Sequence, residues 1–197
     1  MTFLKFTMLS LCLATCVPAW SATQVITESA HEPKLNLVEI TTINPRIQLD
    51  LVWATGNNHL NLILYPDGTR CCLQKKAAYA LDKVQKELEE MGCGLKVLEA
   101  FRPRWAQEKL WKVINFTPTN PNQGRHTTGL AVDLTIIDLK SGKELAMPPY
   151  IYDDMTVTTP TVLTKEQQHN SDLLKNLMTK HGFAPLESEW FHFDYQK

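Results

Sequence analysis

The chain has 197 residues, 44% of them apolar, enough for one domain with a sizeable core and too few for two of ordinary size. Its 20 basic and 21 acidic residues give a formal charge of −1, so no basic surplus exists to hold nucleic acid or an anionic membrane surface. Residues 1–21 read as a secretory signal: Lys5 forms a short n-region, residues 8–17 are mostly apolar, and Ala19-Trp20-Ser21 is a small-x-small cleavage site. The apolar run is too short to span a bilayer. The expectation is a periplasmic or secreted protein whose single domain is residues 22–197. Leu13-Ala14-Thr15-Cys16 is only loosely like a lipid-attachment site, because Thr15 is larger than the residue that usually precedes such a cysteine.

Cleavage would remove Lys5 and no acid, moving the charge from −1 to −2, and would leave Cys71, Cys72 and Cys93. An odd count in an oxidising compartment invites one disulfide and a leftover thiol. The segment between them argues against it. Residues 75–91 have helical spacing, which implies a rod roughly 25 Å long, whereas bridged Cα atoms lie about 4.4–6.8 Å apart. No pairing across that helix is expected, and the spacing is not that of a metal knuckle.

A polar lead-in at 23–34 precedes two segments with strand-like alternation, 37–42 and 47–53, joined by a turn at Asn44-Pro45. Residues 54–60 form a polar loop with Gly56, Asn57, Asn58 and His59. In the helix at 75–91, Ala77, Ala80, Leu81, Val84, Leu88 and Met91 recur at three- and four-residue spacing, and Gly92 ends it. A strand at 95–100 follows, then a second helix at 105–114 opened by Pro103. Residues 117–129, with two prolines, two asparagines and two glycines, are a loop, and His126 lies on it.

Residues 130–137 are the clearest strand. Leu130, Val132, Leu134 and Ile136 point one way; Ala131, Asp133 and Thr135 point the other, placing Asp133 on a small polar face outside the core. Residues 140–164 are irregular, and a helix over 165–180 begins at Thr164 with a capping partner in Gln167. Residues 190–195 alternate again, with Phe191, Phe193 and Tyr195 toward the core and Trp190, His192 and Asp194 away from it. The mixed order and short strand separations predict an α+β fold with a mainly antiparallel sheet and flanking helices.

His126, Asp133 and His192 offer two imidazoles and a carboxylate, ligand types that zinc accepts, and three protein ligands leave a position open for water. Taken singly, an Asp on a strand is usually solvated or ion-paired and a His beside an aromatic is usually a half-buried structural residue. Together they gain weight, because both strand candidates face away from the core and Gly129 lets the chain turn between His126 and Asp133. Glu189 adds a carboxylate able to move a proton. In a continuous strand Glu189 and His192 would lie on opposite faces, so their meeting requires a bend near Trp190.

Arg102-Pro103, His126-x-x-Gly129-x-Ala131-x-Asp133 and Glu189-Trp190-x-His192 resemble the zinc-dependent D-alanyl-D-alanine dipeptidases of the VanX type. The likeness also takes in residues 48–55, Asn57-Asn58, Leu64-Tyr65 and several positions of 77–85. It implies His126, Asp133 and His192 as ligands of one zinc ion per chain, Glu189 as catalytic base and acid, and Arg102 as the positive group that stabilises the tetrahedral intermediate. On spacing alone, Arg102 reads equally well as a surface arginine forked onto a carboxylate. The implied fold is that shared by zinc DD-carboxypeptidases and the Hedgehog signalling domain. The implied partner is a small peptide, D-Ala-D-Ala above all, and no nucleic acid or membrane span.

Two features differ from the family pattern. Gly124 and Arg125 stand where small polar residues are common, and 153–159 lacks the stretch whose acid holds a substrate's amino terminus, leaving Asp153 or Asp154 for that task. The altered loop also permits a carboxypeptidase or endopeptidase acting on peptidoglycan stem peptides. A non-catalytic metal-stabilised binding module is the reading from another class, and Glu189 argues against it.

Overall fold

The computed structural model describes residues 35–56, 58, 60–114, 124–149 and 162–197. Their elements, in chain order, are β1 (Leu37–Glu39), α1 (Ile40–Ile43), β2 (Gln48–Leu49), β3 (Cys72–Gln74), α2 (Lys75–Glu90), β4 (Cys93–Glu99) and α3 (Arg104–Ile114). A 3₁₀ turn (Arg125–Thr128), β5 (Ala131–Asp138), α4 (Lys165–Lys180), β6 (Phe183–Leu186) and β7 (Glu189–Tyr195) complete them. The signal and lead-in, Asn57, His59, the loop residues 115–123, Tyr150 and the 153–159 stretch lie outside the described residues.

A five-stranded sheet runs in the order β2-β4-β5-β7-β6, and β1 pairs with β3 in a separate antiparallel ribbon. Only β2 with β4 is parallel; the other three pairings are antiparallel. The α+β expectation therefore holds. The apolar stripe of α2 (Ala77, Leu81, Val84, Leu88) and that of α4 (Leu174, Leu177, Met178) cover one sheet face, burying Leu95, Val97, Val132, Leu134, Ile136 and Phe193. Gly92 takes the left-handed conformation (φ 75°) that ends α2. Thr164 and Gln167 form the reciprocal capping box that starts α4. A second apolar cluster, Trp53, Leu64, Tyr65, Ala106 and Leu110, joins α3 to the segment after β2.

The N-terminal strands are shorter than the alternation predicts. The strand expected at 37–42 ends at Glu39, because Ile40 donates to the Cys71 carbonyl (2.9 Å) and then turns into one helical turn that buries its side chain. Of 47–53, only Gln48–Leu49 is regular strand, at the sheet edge with Leu49 exposed, although Asp50 and Val52 still donate to the Val97 and Leu98 carbonyls of β4 at 2.9 and 3.2 Å. β3 and β6 carry no alternation long enough to find. Cys71, Cys72 and Cys93 are free, with no bridge across α2. Among the described residues no helix is long and apolar enough to cross a membrane.

Candidate metal centre and active site

Two irregularities in the sheet place the site. On β4, the pairing Val97↔Leu134 is followed by Glu99↔Asp133, so Leu98 is an extra residue. In an unbroken ladder Glu99 would share the face of Leu95 and Val97, pointing at the core; the bulge turns it to the face of Asp133. On β7, Pro185↔Phe193 is followed by Leu186↔Glu189, which leaves three residues of β7 without a partner on β6. That is the bend the sequence requires. Trp190 swings onto the core cluster instead of away from it, and Glu189 Oε2 comes to 3.8 Å from His192 Nδ1.

Asp133 stands at the centre. It faces His192 on β7 and Glu99 on β4 in register, so three polar side chains cross three strands in one row. The alternation predicts its direction correctly and its depth wrongly: Asp133 is 0% exposed, with the imidazoles of His126 and His192 both against its Oδ1. His126 enters from the 3₁₀ turn. Its Nδ1 pairs with the Ala100 carbonyl at 2.9 Å, which aims Nε2 at Asp133 Oδ1, 3.4 Å away. His192 Nδ1 lies 2.8 Å from the same oxygen, and the two imidazoles meet edge to face at 4.9 Å between centroids.

Gly129 makes this entry possible. Its φ of 68° closes the 3₁₀ turn, its N–H donates to the His126 carbonyl at 3.1 Å, and its own carbonyl accepts from Gln74 at 2.7 Å. A Cβ there would sit 2.7 Å from Leu37 Cδ2. Gly129→Ala is therefore expected to lower the urea-unfolding free energy by at least the ~1–2 kcal/mol of a left-handed non-glycine backbone. Parental stability in that measurement would show that the turn tolerates a side chain.

The three buried residues His126, Asp133 and His192 each offer one ligand atom, all within 4.8 Å of one another. Ligand atoms of a tetrahedral zinc site lie about 3.3 Å apart at ordinary bond lengths, close to the 3.4 Å between His126 and Asp133. The shorter His192–Asp133 distance is that of a hydrogen bond. The site is built to hold positive charge. Burial opposes ionisation of Asp133, yet the two imidazoles hold its carboxyl well below the usual range. Burial likewise pulls the His192 imidazolium down, but the Asp133 and Asp194 carboxylates outweigh it and push its pKa up to about 10. A divalent cation satisfies the same demand that these protons meet, and the donor set fits zinc.

Glu189 differs from the three. It is only partly buried, burial raises its carboxyl above the ordinary value with help from the Asp133 charge, and His192, His126 and Arg102 oppose that rise. A partly desolvated carboxylate beside a cation site is suited to taking and returning a proton. Arg102 donates its backbone N–H to the His126 carbonyl at 3.1 Å, and its side chain is buried, not on the surface. The fork onto a carboxylate is real, and the carboxylate is Glu99. His126, Asp133, His192 and Glu189 thus come together, and Arg102 is tied to them through its backbone bond to His126.

Sequence reasoning singled out Arg125 but missed the other groups around them. Glu99, Tyr65, Trp53 and Gln107 surround the Arg102 side chain. Arg125 pairs with Asp194, whose other oxygen is 3.5 Å from His192 Nε2. Glu99 sits three residues before Arg102, but strict alternation assigns it to the core face, so only the bulge reveals it. Trp105 is half-exposed, and Trp190 donates its indole N–H to the Pro149 carbonyl at 3.1 Å.

A family model described as peptidase M15, D-ala-D-ala dipeptidase, matches residues 33–197. The D-alanyl-D-alanine dipeptidase of Escherichia coli (strain K12) is 32% identical over 169 residues, covering 80% of this chain and 83% of that protein. The enzyme of the same description from Streptomyces coelicolor (strain ATCC BAA-471 / A3(2) / M145) is 26% identical over 177 residues, covering 75% and 85%. Among solved structures, the LdcB LD-carboxypeptidase superposes with a TM-score of 0.50 at 18% identity, over 84% of this chain and 70% of its own, a likeness of fold. With the matched segment spanning every element of the sheet and both halves of the site, the chain belongs to the D-Ala-D-Ala dipeptidase family of M15 metallopeptidases.

Proposed function

We propose that the chain hydrolyses D-alanyl-D-alanine, or a closely related short peptide containing D-amino acids, with one zinc ion held by His126, Asp133 and His192. The observation that carries this reading is Glu189, a partly buried carboxylate 3.8 Å from His192 Nδ1 beside three buried ligand atoms. A purely structural site has no use for it. Bound zinc supplies Lewis acidity, polarising a carbonyl and bringing the pKa of water to about 7. Glu189 accepts a proton from the attacking water and returns it to the amine nitrogen as the peptide C–N bond breaks, giving two amino acids. Arg102 holds the negative charge that develops on the carbonyl oxygen.

The same proposal extends to location. Residues 1–21 act as a cleaved secretory signal, residues 22–197 form the single catalytic domain, and the mature enzyme works in the periplasm or outside the cell. The support is the charged start, the apolar run and the small-x-small site at Ala19-Trp20-Ser21. Purified protein is expected to release D-alanine from D-Ala-D-Ala, to stop when a chelator removes the metal, and to recover on adding zinc. Release of D-alanine from intact stem pentapeptides, with the free dipeptide untouched, would move the assignment to a carboxypeptidase. Unchanged turnover in chelator would overturn metal-dependent hydrolysis altogether.

A further inference from the structure

We infer that Glu99 is the positioning residue for Arg102, an assignment that rests on the oxyanion role proposed above for that arginine. Both Glu99 oxygens are fully engaged. Oε1 accepts from Arg102 Nε at 2.9 Å and from the Tyr65 hydroxyl at 2.7 Å. Oε2 accepts from Arg102 Nη2 and from the Trp53 indole N–H, the latter at 3.1 Å. A carboxylate offers about four acceptor positions, so the group has no rotational freedom left. Arg102 Nη1 then donates to Gln107 Oε1 on α3 at 2.7 Å. The fork from Nε and Nη2 sets the plane of the guanidinium, and Gln107 fixes its third corner.

Stability alone does not account for this arrangement. Glu99 is 1% exposed, and a buried ion pair is often no more stabilising than apolar side chains of the same volume. The fold also departs from a regular ladder to make it: the Leu98 bulge turns Glu99 out of the core face and into register with Asp133. Bulges next to active sites serve to re-aim a side chain. The register then couples the two functional halves, since Asp133, a proposed zinc ligand, and Glu99, which holds Arg102, are paired on β5 and β4. An arginine with several free rotamers would lose this orientation on each turnover; one clamped before substrate arrives needs no reorganisation.

The test uses the zinc-loaded protein with D-Ala-D-Ala and the variants Glu99→Gln, Arg102→Ala, their double mutant and Tyr65→Phe. Glutamine at 99 keeps one acceptor and turns the other into a donor facing Arg102, so the fork is lost. Glu99→Gln is expected to lower kcat about 10–100-fold, the range for partners that orient a functional group, with KM within about threefold. In the Arg102→Ala background the same change is expected to cost nothing more, because a residue acting only through Arg102 has nothing left to orient. Tyr65→Phe, which keeps the ion pair, is expected to show a smaller loss that also vanishes in that background, and it serves as the probe if Glu99→Gln does not fold. Full additivity, or parental kcat in the single variants while Arg102→Ala is impaired, overturns the positioning role alone. Parental kcat in Arg102→Ala overturns the arginine's role itself.

Discussion

Glu189→Gln is expected to lower kcat for D-alanyl-D-alanine by about 10²–10⁴-fold, the range for a lost general base or acid, while the protein keeps its metal and its melting temperature. The amide matches the carboxylate in size but cannot take a proton from water. Glu189 is partly exposed and lies outside the group of three residues whose ligand atoms converge, so its loss leaves the cation site and the core intact. Metal content separates this from the competing possibility that Glu189 is a fourth ligand: in that case zinc affinity falls along with kcat. Parental turnover in the zinc-loaded variant would remove Glu189 from the chemistry.

The direction of each site residue is legible in the sequence; its depth and its neighbours are not. Period-two alternation sets Asp133 and His192 opposite Val132, Leu134 and Phe193, and that division holds in the sheet. Alternation carries no information about what covers the other face. Asp133 and His192 are buried where the His126 ring, brought in by the 3₁₀ turn, packs against both. The bulges at Leu98 and along 190–192 are invisible for a related reason. An inserted residue has no composition of its own, and only the partner strand's register shows that it is extra. The bend at Trp190 could be demanded in advance solely because Glu189 and His192 had to meet. The strand read over 37–42 from its alternation stops at Glu39, because Ile40 donates to the Cys71 carbonyl and turns into the helix Ile40–Ile43. The long helices, by contrast, carry their own stripes and caps, so α2, α3 and α4 fall where the spacing puts them.

Replacing Asp133, the central residue of the proposed metal site, tests that site apart from catalysis. Asp133→Asn is expected to weaken zinc binding by more than about 100-fold, beyond the 10–100-fold loss typical of partners that only orient a ligand. Asp133 Oδ1 is the one atom close to both imidazoles, 3.4 Å from His126 Nε2 and 2.8 Å from His192 Nδ1. Its charge also stabilises any cation placed between them. The amide is nearly isosteric, so packing in the fully buried position changes little; what is lost is the charge. The readout is the melting temperature with and without zinc. A ligand that binds only the folded state adds RT ln(1 + [L]/Kd), about 2.7 kcal/mol at a hundredfold excess over Kd. The parent is expected to show that rise and Asp133→Asn to lose it at the same zinc concentration. Asp133→Ala is expected to be less stable than Asp133→Asn even without metal, by about 1–3 kcal/mol, since it also removes the oxygen that pairs with the buried His192 Nδ1. A zinc-induced rise in Asp133→Asn equal to the parent's would mean that the cation, if it binds, is not held by this carboxylate.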